Sequence, residues 1–250
     1  MNTVVEEIGG IFKQNGIPVF GFGPASLLEN APPRYRPADY LPSAKSIICL
    51  GIPVPRAIFR CNERSNDAYG RTVNIYYRKM DALLLQAACI LEDSGELALP
   101  VFGCFPYELR GRGDLWGFLS LPNIAEAVGL GKIGRNGLLF NSVYGPRLIL
   151  GGVVTSAMLP AKTWPEKDEK GCPDGCFVCQ ERCPIKAIDK AGRVDRVACV
   201  SYSVTSPILT HLVKSKEFGA SDMKGVINAA SVDDHSMYAC TRCVSECPYS

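Results

Sequence analysis

Two short cysteine runs near the C-terminus constrain this chain more than any other feature. The first reads Cys172-Pro-Asp-Gly-Cys176-Phe-Val-Cys179-Gln-Glu-Arg-Cys183-Pro184. The second reads Cys240-Thr-Arg-Cys243-Val-Ser-Glu-Cys247-Pro248, and Cys199 lies alone between them. Eight of the 12 cysteines therefore fall from Cys172 onward. The other four, Cys49, Cys61, Cys89 and Cys104, share no spacing. Cys49 in an apolar strand and Cys89 on an apolar helix face read as small buried hydrophobes, with Cys61 and Cys104 as bystanders.

A C-x2-C-x3-C-P run suits thiolate ligation of a cubane iron–sulfur cluster. Closely spaced cysteines let one loop wrap several irons, and the cysteine before proline reaches a neighbouring cluster. Eight cysteines so arranged suit two 4Fe–4S clusters better than structural thiols. They also suit them better than a zinc ribbon, which usually stops at four ligands. Ligand exchange then assigns Cys172, Cys176, Cys179 and Cys247 to one cluster, and Cys183, Cys199, Cys240 and Cys243 to the other. The first motif carries three residues between its first two cysteines where two are usual; Asp174-Gly175 supplies the extra turn.

Thiols that serve as metal ligands belong to a reducing compartment. The N-terminus, Met1 to Glu7, is acidic where a signal peptide is basic, and no apolar run approaches the roughly 20 residues of a spanning helix. A soluble, cytoplasmic protein without membrane contact is expected. The chain has 250 residues, of which 47% are hydrophobic and 21% charged, enough for one large domain or two unequal ones. Its formal charge of +2, from 27 basic and 25 acidic residues, argues against a protein built mainly to grip nucleic acid.

Residues 1–165 read as a mixed α/β domain and 166–250 as the cysteine-bearing one. A helix is expected over Val4 to Phe12, closed at Asn15-Gly16, and short strands over Ile17 to Gly21 and Ser46 to Val54. The longest helical pattern runs from Val73 to Glu92. A glycine-punctuated segment, Gly103 to Gly117, precedes a short helix from Asn123 to Val128. Leu138–Phe140 and Leu148–Thr155 read as two paired strands joined at Tyr144-Gly145-Pro146. The charged stretch Ala161 to Lys170 reads as a linker. Gly129-Leu-Gly131-Lys-Ile-Gly134 has glycine spacing near that of a dinucleotide loop, but a helix precedes it where a strand is needed.

A small two-cluster electron carrier needs far fewer residues, so the first domain holds what the electrons reach. The stretch Ala127-Val-Gly-Leu-Gly-Lys-Ile-Gly-Arg-Asn-Gly-Leu-Leu139, then Tyr144-Gly-Pro146, then two ferredoxin-type motifs bracketing Cys199-Val-Ser-Tyr202, resembles the epoxyqueuosine reductase family. That family is related in fold to reductive dehalogenases and to cobalamin-processing, flavin-reductase-like proteins. The resemblance covers roughly residues 75 to 248. It implies an α+β protein, with a nitroreductase-like sandwich domain followed by a two-cluster bacterial ferredoxin-like domain.

It further implies base-off cobalamin, with one cluster reducing cob(II)alamin to nucleophilic cob(I)alamin. The positions matching corrinoid contacts are Gly134, Arg135, Asn136, Ser201, Tyr202 and, from Ile75-Tyr76-Tyr77, Tyr76. The family's acidic element is replaced by Leu119-Ser120-Leu121-Pro122, so no catalytic acid is carried over. Proton donors are sought in the glycine-rich segment and nearby, among Tyr107, Glu108, Asp114, Arg112 and Tyr77; Tyr107 and Asp114 are preferred. The family's helical-repeat extension, associated with tRNA binding, has no counterpart after Cys247. Together with the near-neutral charge, this sets a tRNA substrate aside in favour of a small organic or corrinoid one.

Reduced ferredoxin or flavodoxin is the expected electron donor, guided by Lys214 and Lys216, and a homodimer is compatible with the pattern. His211 and His235 read as surface or cap residues. Two rival functions remain open: an electron-transfer protein without its own corrinoid, and an FMN-dependent reductase on the same scaffold.

Overall fold

Two apolar runs, Ser46–Pro53 and Leu148–Thr155, set the centre of the sheet. In the computed structural model, which describes residues 2–103, 107–110, 114–203 and 240–249, they pair antiparallel from Ser46 opposite Thr155 to Pro53 opposite Leu148. These are β2 and β8. Every residue of β8 is buried, as a short, continuous apolar run suggests for a strand covered on both faces.

β1 (Val19–Pro24) pairs with the other edge of β2, and β3 (Ala98–Val101) with the other edge of β8. β9 (Lys162–Trp164) pairs with β1 and completes an antiparallel five-stranded sheet, β3-β8-β2-β1-β9. Alternation of side chains along a strand then separates two cores. Ile48 and Leu50 pack with Phe12 of α1 (Asn2–Gln14) and with Met80, Leu84 and Leu91 of α2 (Ser65–Asp93). Ile47 and Cys49 pack with Leu121, Ile124 and Ala125 of α3 (Leu121–Ala127). The fold is mixed helix and sheet.

Three local expectations change. Leu139–Phe140, as β7, pairs with β6 (Lys132–Ile133) and not with β8. The tight turn between β6 and β7 satisfies their backbone locally, whereas β8 is taken by β2 and β3. The segment expected as a linker supplies β9, an edge strand tied down on both sides. Thr163 Oγ1 donates to the Val128 carbonyl at 2.7 Å, and the Lys13 ammonium lies 3.3 Å over the Trp164 ring centroid. Its polar composition is that of a short protected edge. Within the glycine-punctuated segment, β4 (Tyr107–Arg110) pairs antiparallel with β5 (Asp114–Gly117). Among the described residues no helix is long and apolar enough to cross a membrane.

Candidate cofactor site

The glycine motif folds into the β6–β7 hairpin. Gly131, at φ 150°, sits where a Cβ would overlap the Phe140 carbonyl oxygen, so the two strands close only over glycine. Gly134 N–H donates to the Leu138 carbonyl at 2.8 Å and Gly137 N–H to the Gly134 carbonyl at 2.9 Å. Arg135 and Asn136 thus occupy the tip. Asn136 Oδ1 accepts from Leu138 N–H at 3.1 Å, and its Nδ2 donates to the Cys243 carbonyl at 3.4 Å. The tip faces the cysteine segments: a Cβ on Gly134 would lie 3.2 Å from Cys172 Sγ. The Arg135 guanidinium stacks over Phe177, 4.7 Å from the ring centroid.

The cysteines divide between two cavities. Cys172, Cys176, Cys179 and Cys247 line a narrow one, together with Arg135, Asn136 and Phe140. Cys183, Cys199, Cys240 and Cys243 line a larger one of about 520 Å³, whose walls include Asn136, Gly137, Arg196 and Tyr202. Short elements set these positions. α4 (Val178–Arg182) carries Cys179 and ends at Cys183, α5 (Arg196–Ser203) carries Cys199, and α6 (Arg242–Ser245) carries Cys243. Gly175, at φ 74°, absorbs the extra residue after Cys172, and Cys176 N–H closes the turn on the Pro173 carbonyl at 3.3 Å. Ala187 N–H donates to Cys183 Sγ at 3.3 Å.

Burial, and then the neighbouring Cys172, Cys176 and Cys247, push the Cys179 thiol upward. Cys199 is raised by burial, then by Cys240, Cys183 and Asp195. Cys243 is pushed up to about 12 by burial first, then by Cys199, Cys240, Cys179 and Cys183. Crowded thiols of this kind ionise together only around a cationic centre, and binding such a centre releases their protons. Two sets of four thiols around two cavities are a donor set that a thiolate-bound metal cluster would use. Cys243 is influenced by thiols of both sets, so the two sets adjoin. Among the described residues no group of three or more His, Cys, Asp or Glu side chains stands in metal-holding geometry, and the thiols line the two cavities.

The remaining sequence candidates scatter. Tyr202 is 54% exposed on the wall of the larger cavity, whereas the Ser201 side chain lies outside the described residues. Tyr76 is half-buried against the core beneath α2. Tyr107 and Asp114 stand on opposite strands of the β4–β5 pair, with Gly117 and Arg110 as their respective partners, and β5 lies beside α5. The side chains of Tyr107, Glu108 and Asp114, as well as Arg112, Cys104, His211, Lys214, Lys216 and His235, lie outside the described residues. Tyr77 is buried in the core. Cys49 is buried as expected, but Cys89 is exposed on α2, because the helix turns its Leu84, Ala87 and Ala88 face inward.

The sequence reading missed Phe177, the partner of Arg135. It also missed Arg193, Arg196 and Arg242 on the wall of the larger cavity. The latent signal was proximity in the chain: Arg242 stands between Cys240 and Cys243, and Arg196 lies one helical turn before Cys199.

No family model matches the chain. An epoxyqueuosine reductase of Lactococcus garvieae is 27% identical over 233 residues, 89% of this chain and 56% of that protein. One from Synechocystis is 30% identical over 175 residues, 68% of this chain and 55% of that protein. The chain spans about half the length of the curated relatives it matches. Among solved structures, epoxyqueuosine reductase from Streptococcus thermophilus aligns over 98% of this chain and 65% of its own, with TM-score 0.63 and 21% identity.

An epoxyqueuosine reductase solved with a tRNA-Tyr epoxyqueuosine-modified tRNA stem loop covers 99% of this chain and 65% of its own, with TM-score 0.61 and 17% identity. A reductive dehalogenase whose structure suggests a mechanism for B12-dependent dehalogenation covers 98% of this chain and 36% of its own, with TM-score 0.56 and 15% identity.

The stem-loop complex overturns the expectation that tRNA is an improbable partner. Net charge sums over the whole surface, so a near-zero total does not argue against a local RNA-binding face. By sequence over most of its length the chain is similar to epoxyqueuosine reductases, and its fold is similar to those of epoxyqueuosine reductases and reductive dehalogenases.

Proposed function

We propose that the chain is a reductase in which the two thiol sets hold two 4Fe–4S clusters and feed electrons to base-off cobalamin beside the larger cavity. The substrate proposed is an epoxyqueuosine-type nucleoside within a tRNA stem loop. The observation that carries this reading is the division of eight cysteines, four and four, around two adjoining cavities. The names of the relatives supply the reaction class, and the B12-dependent dehalogenase supports the corrinoid. In this reading residues 1–165 form a nitroreductase-like domain and 166–250 a ferredoxin-like one. Reduced ferredoxin or flavodoxin is the donor, and the protein works in the cytoplasm.

When bound, cobalamin supplies a cobalt centre that takes single electrons from iron–sulfur clusters and passes them to an organic substrate. This chain's residues then have separable tasks. Asn136 and Tyr202, on the wall of the larger cavity, are the residues that would contact a bound corrinoid. Arg196 presents its cation on the same wall, where a phosphate group needs a partner. Removing an epoxide oxygen as water consumes two electrons and two protons. Tyr107 and Asp114 are the proposed proton sources, on a strand pair that lies beside the α5 helix bearing Cys199 and Tyr202.

Anaerobic reconstitution tests the reading. About eight iron atoms and eight sulfides per chain are expected, with one cob(II)alamin bound at micromolar concentration by its electron paramagnetic resonance signal. An epoxyqueuosine-modified stem loop incubated with reductant should then lose one oxygen, read by nucleoside mass spectrometry. Iron–sulfur absorbance without corrinoid binding would identify an electron carrier instead. Binding of FMN in place of cobalamin would identify a flavin reductase.

A further inference from the structure

Arg135, matched by resemblance to a corrinoid contact, faces the first thiol set in the structure. Its side chain lines the narrow cavity ringed by Cys172, Cys176, Cys179 and Cys247, not the larger one where Tyr202 stands. Three features hold it there. The hairpin tip is closed by the Gly134–Leu138 and Gly137–Gly134 hydrogen bonds. The Arg135 backbone packs beneath Gly192, where an added Cβ would lie 3.6 Å from Arg135 Cα. The guanidinium stacks on Phe177, the residue between Cys176 and Val178, so it is fixed to the very loop that carries two of the thiols. Within this arrangement Arg135 Nε is buried and has no hydrogen-bond partner. A buried guanidinium N–H left unpaired is costly, and four thiolates beside it are the natural acceptors.

We infer that Arg135 donates its Nε–H to a sulfur of the cluster held by Cys172, Cys176, Cys179 and Cys247, and that this raises the reduction potential of that cluster above the value its ligands alone would set. The inference rests on the two-cluster reading proposed above. Its physical basis is charge. One-electron reduction adds a negative charge to a group already surrounded by four thiolates. A nearby cation and a hydrogen bond to sulfur both favour the more negative state. In a wire of two clusters, the cluster beside Arg135 then becomes the electron sink, and the Cys183 set the more strongly reducing end next to the larger cavity. Phe177 serves as a positioning residue for the guanidinium.

The test is anaerobic redox titration of the reconstituted full chain, following both clusters by electron paramagnetic resonance. In R135Q, poised at the wild-type midpoint of the affected cluster, the reduced-to-oxidised ratio should fall about tenfold, a shift of about 59 mV for a one-electron couple. The other cluster should keep its midpoint. R135K keeps the charge but loses the Nε–H and the planar stack, and should fall roughly threefold by the same relation. If R135Q fails to take up full iron, R135K decides: a midpoint equal to that of the wild type overturns the inference. It is equally overturned if both clusters shift together, because the effect is then not local. A wild-type protein that binds no iron and sulfide at all would defeat the two-cluster reading itself, an outcome read before any variant is made.

Discussion

Asn136 is the residue at which the two halves of the chain are joined most economically. One amide does two jobs: its oxygen accepts from Leu138 N–H and closes the hairpin tip, and its nitrogen reaches the Cys243 carbonyl, 107 positions away. The side chain is 9% exposed, so neither bond is readily replaced by water. N136A should therefore destabilise the iron-loaded protein by about 1–3 kcal/mol in a denaturant titration, chiefly through the Leu138 donor it leaves unpaired. N136D keeps an acceptor for Leu138 but turns a carboxylate oxygen on the Cys243 carbonyl, and should be no better than alanine. An N136A protein as stable as the parent would remove Asn136 from the joint. Because the same residue lines both cavities, its loss should, in the proposed two-cluster reading, also broaden the signals of both clusters.

Among the elements, α2 packs its side chains directly against a glycine of β8. At Gly151 a Cβ would lie 2.6 Å from Met80 Cγ and 3.0 Å from Leu84 Cδ1, so α2 rests directly on the strand. G151A should cost about 1–3 kcal/mol by overpacking. M80A, which opens a cavity, should cost about 2–5 kcal/mol on its own. The double variant should cost less than the sum, because the new methyl group enters the space that Met80 leaves. A double-mutant cycle by urea unfolding reads this coupling, and strict additivity would mean that α2 does not bear on Gly151.

These same elements show what the sequence made legible. Unbroken apolar runs announced β2 and β8, and helical periodicity announced α1 and the body of α2, because burial on a fixed face leaves a period in the chain. β6 and β9 escaped, and β7, read as a strand, was given the wrong partner. β6 and β9 are two or three residues long and mostly exposed, so no period accumulates. The grouping of cysteines around two cavities was legible because thiols closely spaced in one turn stay close in space. Phe177 and the cavity arginines were not, because stacking and charge placement impose no spacing.

At the scale of the molecule the two parts are stabilised by different physics. The sheet and its helices bury two extensive apolar cores. Beyond residue 160, by contrast, only Ala187, Ile188 and Val244 are buried apolar residues among those described. Three such side chains cannot offset the conformational entropy of ordering the cysteine segments, which costs roughly 1–2 kcal/mol per residue for the backbone alone. In the proposed reading, iron ligation makes up the difference, and metal-binding energy becomes folding energy for this part of the chain. Its hold on the first part combines hydrogen bonds with ring contacts: Asn136 to the Cys243 carbonyl, Thr241 Oγ1 to Asn66 Oδ1 at 3.2 Å, Arg135 over Phe177, and Phe140 edge-on to Tyr249 at 5.4 Å.

Stripping iron with a chelator under reducing conditions should therefore unfold one part and spare the other. Hydrogen exchange followed by mass spectrometry should show residues 171–203 and 240–249 losing protection. Residues 46–53 and 148–155, at the centre of the sheet, should retain it. Restoring iron and sulfide should reverse the change. Uniform loss of protection would mean that the sheet depends on the clusters. Full protection throughout would mean that the cysteine segments fold without metal, and either result would break the division of labour argued here.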